Sequence, residues 1–433
     1  MRKFGWYSEL GRKEKRTYWA CFGGLALDSM DSTIFALVMP VLITVLGITK
    51  GEAGILGSVA LVGSAIGGWG AGLLADRYGR VRMMQITIVW VAAATLMAGA
   101  CSEFWEFFIA RALQGIGYGG EAAVGAVLIS ETIAPRLRGR VAASVQSGYA
   151  LGYAMSTLAM PLIFAFAPEH IAWRLFFAIG VLPALFVWFI RRLVVESDVF
   201  NANQELAKKT NKRSDFRAIF RGPHLRVTII GTLLASGILG GAYVLITWLP
   251  TYLRMVLGLP ITSTAGYLAV NIFGSLVGPV VYGILSDRIG RGRTFMVFLA
   301  LQTVNVAVYL FAAINPSLTL VMGFALGLCQ AALASGLTPS FAELYPTAIR
   351  ASGAGFCTSF GRGIGSIVPA AVGLLSTSIP LGTAMGICAI TSYGIGFLAA
   401  IMLPNATGVD MSAADQSAAI INPRAATDET SAH

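Results

Sequence analysis

Long apolar runs broken by short polar segments set the rhythm of this chain. Twelve such runs fall near residues 17–45, 52–75, 81–100, 104–132, 139–166, 172–192, 224–252, 263–286, 293–313, 317–345, 350–376 and 382–404. A helix of about 20 such residues crosses ~30 Å of hydrocarbon, so each run reads as a membrane span. The break after the second run is Gly72-Leu-Leu-Ala-Asp-Arg-Tyr-Gly-Arg-Val-Arg82. After the eighth run the pattern returns, 211 residues on, as Gly283-Ile-Leu-Ser-Asp-Arg-Ile-Gly-Arg-Gly-Arg293. A polar hairpin repeated at half-length marks two repeated halves. The predicted architecture is all-α and integral to the membrane, with twelve transmembrane helices in two pseudo-symmetric six-helix bundles. A basic lead (1–16) precedes the first bundle (17–192), and a basic linker (193–223) joins it to the second (224–404). Residues 405–433 lack periodicity and are expected to be disordered.

Composition agrees with the pattern. The chain is 56% hydrophobic and 12% charged, with mean hydropathy +0.73. Soluble domains carry about 25% charged residues, so a soluble fold is excluded. The net charge of +10 would suit a nucleic-acid binder, but its distribution does not. Of 31 Lys and Arg, 26 fall on the side of the termini and hairpins, against Lys50, Arg174 and Arg254 on the other. This is the positive-inside pattern of a bacterial-type inner membrane protein with both termini in the cytoplasm. The first run, with Asp28 and Asp31 inside it, is too long for a signal peptide and reads as a retained helix. Cys21, Cys101, Cys329, Cys357 and Cys388 have no CxxC spacing, and the three histidines are scattered outside the spans. Neither set predicts a metal, and no cofactor is expected.

Ionisable residues inside the spans carry the candidate chemistry. Asp28 and Asp31, three apart, share a helix face in the first span. A carboxylate at mid-bilayer is costly, ~2.5–3.5 kcal/mol on insertion scales, and marks a cavity or a proton path. In the fourth span Arg111, Gln114, Tyr118 and Glu121 form one polar stripe. Gly115, Gly117 and Gly120 formally spell GxGxxG, but inside a span they point to close helix packing. Counted at ~1.5 Å per residue, Asp31 and Arg111 sit at similar depths, which predicts that they pair. Arg362, flanked by Gly361 and Gly363 near the middle of the eleventh span, has the fork and the room to grip a carboxylate. Gln146 and Tyr149, Tyr243 and Trp248, Asn271 and Gln330 are the further candidates for substrate contact. Pro250 is expected to break or bend the seventh helix near its end. Asp76, Arg77 and Arg80, with their counterparts Asp287, Arg288 and Arg291, are gating candidates. So are Glu131 with Arg138 and Glu343 with Arg350, each pair seven apart across a proline and expected to act as a latch.

With these residues in hand, the chain resembles the major facilitator superfamily over nearly its whole length. The paired hairpins and Arg111-Ala-Leu-Gln-Gly-Ile-Gly carry the likeness. Asp28-Ser-Met-Asp31, Gly119-Gly-Glu121 and Phe360-Gly-Arg-Gly-Ile-Gly365 are similar to segments of the aromatic-acid:proton symporter branch, where glycine usually stands in place of Ser29. The resemblance implies two bundles rocking about a central cavity. The expectation is a monomeric, proton-coupled symporter importing a small organic carboxylate, an aromatic one above all. Asp28, Asp31 and Glu121 would bear the proton and Arg362 and Arg111 the anion; protonation would release positive charge at an arginine to take the substrate. The alternatives are a proton-antiport exporter of a drug or metabolite and a non-transporting membrane nutrient sensor. Enzyme chemistry is not expected, since no phosphate loop, metal cluster or intramembrane histidine is present to perform it.

Overall fold

The computed structural model describes residues 6–181, 184, 185, 188, 192, 194, 219–312, 315–345 and 349–403, and no strand occurs among them. Most of the linker expected at 193–223, the whole tail 405–433 and the first five residues lie outside the described residues. Ten of the described helices are long and apolar enough to cross a membrane. In the first half these are Arg12–Val45, Lys50–Tyr78, Arg80–Ala100, Phe104–Thr132 and Pro135–Phe166. In the second half they are Pro223–Thr251, Ile261–Ile289, Arg291–Phe311, Pro316–Glu343 and Leu381–Ile401. The sixth span is described as Glu169–Gly180, and the eleventh is two pieces, Arg350–Gly365 and Val368–Leu375. Together they form two six-helix bundles.

Local chemistry sets the helix ends. The first helix starts at Arg12, inside the expected lead, because the Glu14 carboxylate accepts the Gly11 N–H at 2.7 Å and closes a first turn. After Pro250 the seventh helix widens into a π turn over Tyr252–Val256. At the hairpins, Gly79 (φ 97°) and Gly290 (φ 90°) each end one helix and begin the next. Positive φ strains any residue with a Cβ, so both turns need glycine. The flanking helices match across the repeat, 29 and 21 residues in each half.

Small residues let the helices touch backbone to backbone. A Cβ on Gly119 would overlap the Ser64 carbonyl of the second helix, and one on Gly327 the Asn271 carbonyl of the eighth. Large apolar side chains such as Trp69, Trp105, Phe166, Phe273 and Val304 are exposed, forming the lipid-facing belt.

The bundles meet where the second helix packs on the eleventh, the fifth on the eighth and the first on the seventh. On the face opposite the hairpins this contact is close. Ala370 N–H donates to Ser58 Oγ at 2.9 Å, and Arg254 pairs with Glu169 at 3.0 Å. Gly54 lies so near the eleventh helix that a Cβ there would sit 2.8 Å from the Pro369 carbonyl.

Candidate functional site

Four helices of the first bundle converge on Asp31. The third brings Thr95, which donates from Oγ1 to Asp31 Oδ1 at 2.9 Å. The fourth brings Gln114, whose Nε2 donates to Oδ2 at 2.6 Å, and Tyr118, whose hydroxyl donates to the same oxygen. Asp31 therefore accepts three hydrogen bonds while buried in the bundle interior. Arg111 lies beyond Gln114. Its Nη1 donates to Gln114 Oε1 at 2.8 Å, and its guanidinium rests on the Phe35 ring, 4.1 Å from the centroid. The expected Asp31–Arg111 pair is thus not a direct contact; one amide stands between the two charges. Asp28, Asp31, Thr95 and Glu121 share the lining of one small cavity, closed by apolar residues of the first, third and sixth helices, among them Leu27, Ile88 and Ala184.

Arg362 lies elsewhere. It sits at the end of the first piece of the eleventh helix, near the hydroxyls of Tyr149 and Tyr243, across the bundle interface from the carboxylate cavity. Its Nε is buried with no hydrogen-bond partner, while the residue as a whole keeps partial exposure. Tyr149 and Tyr243 are half-buried, Gln330 likewise, and Gln146 is exposed. The first helix stands between the two sites. Asp28 and Asp31 point to the carboxylate cavity, while Ser29 Oγ donates to the Tyr149 carbonyl at 2.6 Å on the other side.

Two substrate candidates are engaged in packing. Trp248 is fully buried and donates from Nε1 to the Pro369 carbonyl at 3.0 Å, so it belongs to the closed face. Asn271 donates to the Gly323 carbonyl at 3.0 Å and ties the eighth helix to the tenth. The hairpin residues form two equivalent clamps. Arg80 pairs with Glu131 at 3.1 Å and Arg291 with Glu343 at 3.0 Å, each within one bundle. Arg80 also reaches the Ala75 carbonyl, and Arg291 reaches Ser286 Oγ, tying each arginine back across its own turn. At the second hairpin Glu343 thus meets Arg291 rather than Arg350, seven residues on. Arg350 instead donates to the Tyr345 carbonyl at 3.2 Å, and Arg77, Asp287 and Arg288 are exposed at the hairpin tips. The side chains of Asp76 and Arg138 lie outside the described residues.

A family model described as Major Facilitator Superfamily matches residues 21–302 and 262–422, between them most of the chain. The chain belongs to that superfamily. It is a multi-pass membrane transporter and not an enzyme. Among curated relatives, it is 38% identical to the "Probable 4-methylmuconolactone transporter" of Cupriavidus pinatubonensis, over 94% of each chain. It is 27% identical to the cis,cis-muconate transport protein of Acinetobacter baylyi, over 88% of this chain and 92% of that one. The inward-open xylose transporter of E. coli superposes with a TM-score of 0.74 over 92% of this chain and 97% of that one, at 19% identity, and shows the shared fold.

Sequence reading of this transporter found Asp31 and Arg111 but gave Gln114 no role and missed Thr95. Gln114 was visible in the polar stripe of the fourth span. Thr95 is one of two buried threonines in the third, with Thr87, and a threonine in a span carries no signal of its own.

Proposed function

We propose that this transporter is a proton-coupled symporter that imports a small organic carboxylate, an unsaturated or aromatic one, by alternating access. The observation that carries the reading is the division between a buried carboxylate site in the first bundle and Arg362 with an unmatched Nε–H at the bundle interface. Relatives named for a muconolactone and for muconate support the substrate class. In this reading the hairpin face and both termini are cytoplasmic, the membrane is the bacterial inner one, and one chain suffices.

Asp28, Asp31 and Glu121 against Arg111 and Arg362 carry a formal charge of −1, so one proton neutralises the set. An anion on Arg362 then needs a second compensating charge, which a proton on the carboxylate site supplies. Neutrality lowers the free energy of moving the loaded site through low dielectric. The coupling runs through the first helix, which carries Asp31 on one side and Ser29, bonded to the Tyr149 segment, on the other.

The test is uptake of labelled cis,cis-muconate and benzoate into proteoliposomes, with and without an inside-alkaline pH gradient. Accumulation should need the gradient and should vanish in Asp31→Asn, with Asp28→Asn strongly impaired. Equal accumulation without a gradient, or full proton-driven uptake in both variants, would overturn the reading.

A further inference from the structure

The polarity of the network around Asp31 is fixed from one end. Arg111 has N–H donors and no acceptor, so the oxygen of the Gln114 amide must face it. The Gln114 NH2 group therefore points the other way, and both its hydrogens are used, one on Asp31 Oδ2 and one on Thr95 Oγ1 at 2.9 Å. Gln114 cannot turn to accept a proton from Asp31 without setting its NH2 against the guanidinium. Thr95 has a different freedom. Its hydroxyl reaches Asp31 Oδ1 and, at 2.8 Å, also the Val91 carbonyl of its own helix. If Oδ1 becomes protonated, Thr95 turns its hydrogen to Val91 and accepts from Asp31 with no movement of heavy atoms.

We propose that Gln114 is the positioning residue of the proton site: oriented by Arg111, it holds Oδ2 of Asp31 as a permanent acceptor and confines protonation to Oδ1, where Thr95 switches from donor to acceptor. The proposal rests on Asp31 as the proton carrier. The proton arrives from the cavity that Asp31 shares with Asp28, Thr95 and Glu121 and stays on Oδ1 as an O–H bond. The ionisable groups facing Asp31 are Asp28 from its own helix and Arg111, Tyr118 and Glu121 from the fourth. The third helix contributes Thr95, and the sixth contributes Gly180, Val181 and Ala184 to the cavity. The fifth helix meets the first on the Ser29 side, where Tyr149 is held.

The assignment is tested without any substrate. An infrared pH titration of the purified full-length protein follows the carboxylic-acid C=O band that Asp31→Asn abolishes. In Gln114→Met, close in volume but unable to donate, the ionised form loses one donor and the titration midpoint should rise by about one pH unit. The band should also move to higher frequency, because the C=O at Oδ2 loses a hydrogen bond. Gln114→Glu, which places a second carboxylate beside Asp31, should also raise the midpoint, and Thr95→Ser should leave it in place. A shared monodisperse elution profile checks that the variants fold. An unchanged midpoint and frequency in Gln114→Met, or no Asp31 titration in either protein, overturns the relay. That outcome is separate from failure of the symport reading, which would show as full proton-driven uptake in Asp31→Asn.

Discussion

The two bundles share a frame and differ in what they enclose. Both have a positive-φ glycine at the hairpin, a 29-residue helix before it and a 21-residue helix after it. Both close the hairpin with an Arg–Glu pair. The interiors part company position by position. Thr95 has its counterpart 211 residues on in Val306; Gln114 and Glu121 have theirs 212 on in Leu326 and Leu333. All three counterparts are buried and apolar. The second bundle keeps neutral amides such as Gln302 and Asn305 in its core and presents its one intramembrane arginine, Arg362, toward the interface. What repeats is the geometry that helix packing and tight turns require. The chemistry is free to differ, and here carboxylates gather in one half.

The sharpest way to break this picture is to overfill the frame. Gly119→Val and Gly327→Val each drive a side chain into a carbonyl of the neighbouring helix. Each should destabilise by about 3 kcal/mol or more, seen as loss of the monodisperse species or a large drop in thermal midpoint. If one half tolerates the change and the other does not, the frames are not equivalent.

Next in size is the division of labour. Arg362→Gln should lower muconate uptake by ~100-fold, since a desolvated carboxylate loses its charged partner. Arg362→Lys should fall between, keeping the charge without the fork. In Asp31→Asn the substrate should still bind, measured by equilibrium binding of labelled muconate, while accumulation is lost. Binding lost in Asp31→Asn and kept in Arg362→Gln would reverse the assignment.

The hairpin clamps call for a smaller effect. Glu131 and Arg80 are more enclosed, 12% and 10% exposed at the side chain, than Glu343 and Arg291 at 27% and 25%. Glu131→Gln should therefore destabilise by about 1 to 2 kcal/mol and Glu343→Gln by about half of that, compared by thermal unfolding in one detergent. Equal losses would mean that enclosure does not set the strength of these pairs.

Period and spacing made the frame legible, because membrane helices and a repeated hairpin are local patterns. Asp31, Arg111 and Arg362 were legible too, since charge inside lipid is rare enough to stand out. Partnerships were not. Glu343 was matched with Arg350 because the two are near in sequence, whereas helix packing brings Arg291 to it from 52 residues away. Trp248 and Asn271 looked like ligand contacts because polarity in a span attracts attention, yet each satisfies a backbone carbonyl of a neighbouring helix. The split of the eleventh span at Ser366–Ile367 was missed, although Pro369 just beyond it is the residue a broken helix would carry in its first turn.

That split bears on the contact between the halves. The first turn of Val368–Leu375 has backbone N–H groups without helical partners, and Ala370 satisfies its own on Ser58 of the other bundle. The bond exists only while the face opposite the hairpins is shut. Ser58→Ala should therefore weaken the shut state by about 1 kcal/mol, a fivefold shift in population, without touching either ligand site. Gly54→Ala, with its new methyl against the Pro369 carbonyl, should push the same way by more, and Ser58→Thr should change little. Spin-label distances across that face would read all three. A Ser58→Ala protein with unchanged distances would mean that the N–H finds an equal partner elsewhere, and the halves would then be held by packing of Gly54 on Gly373 and by the Arg254–Glu169 pair.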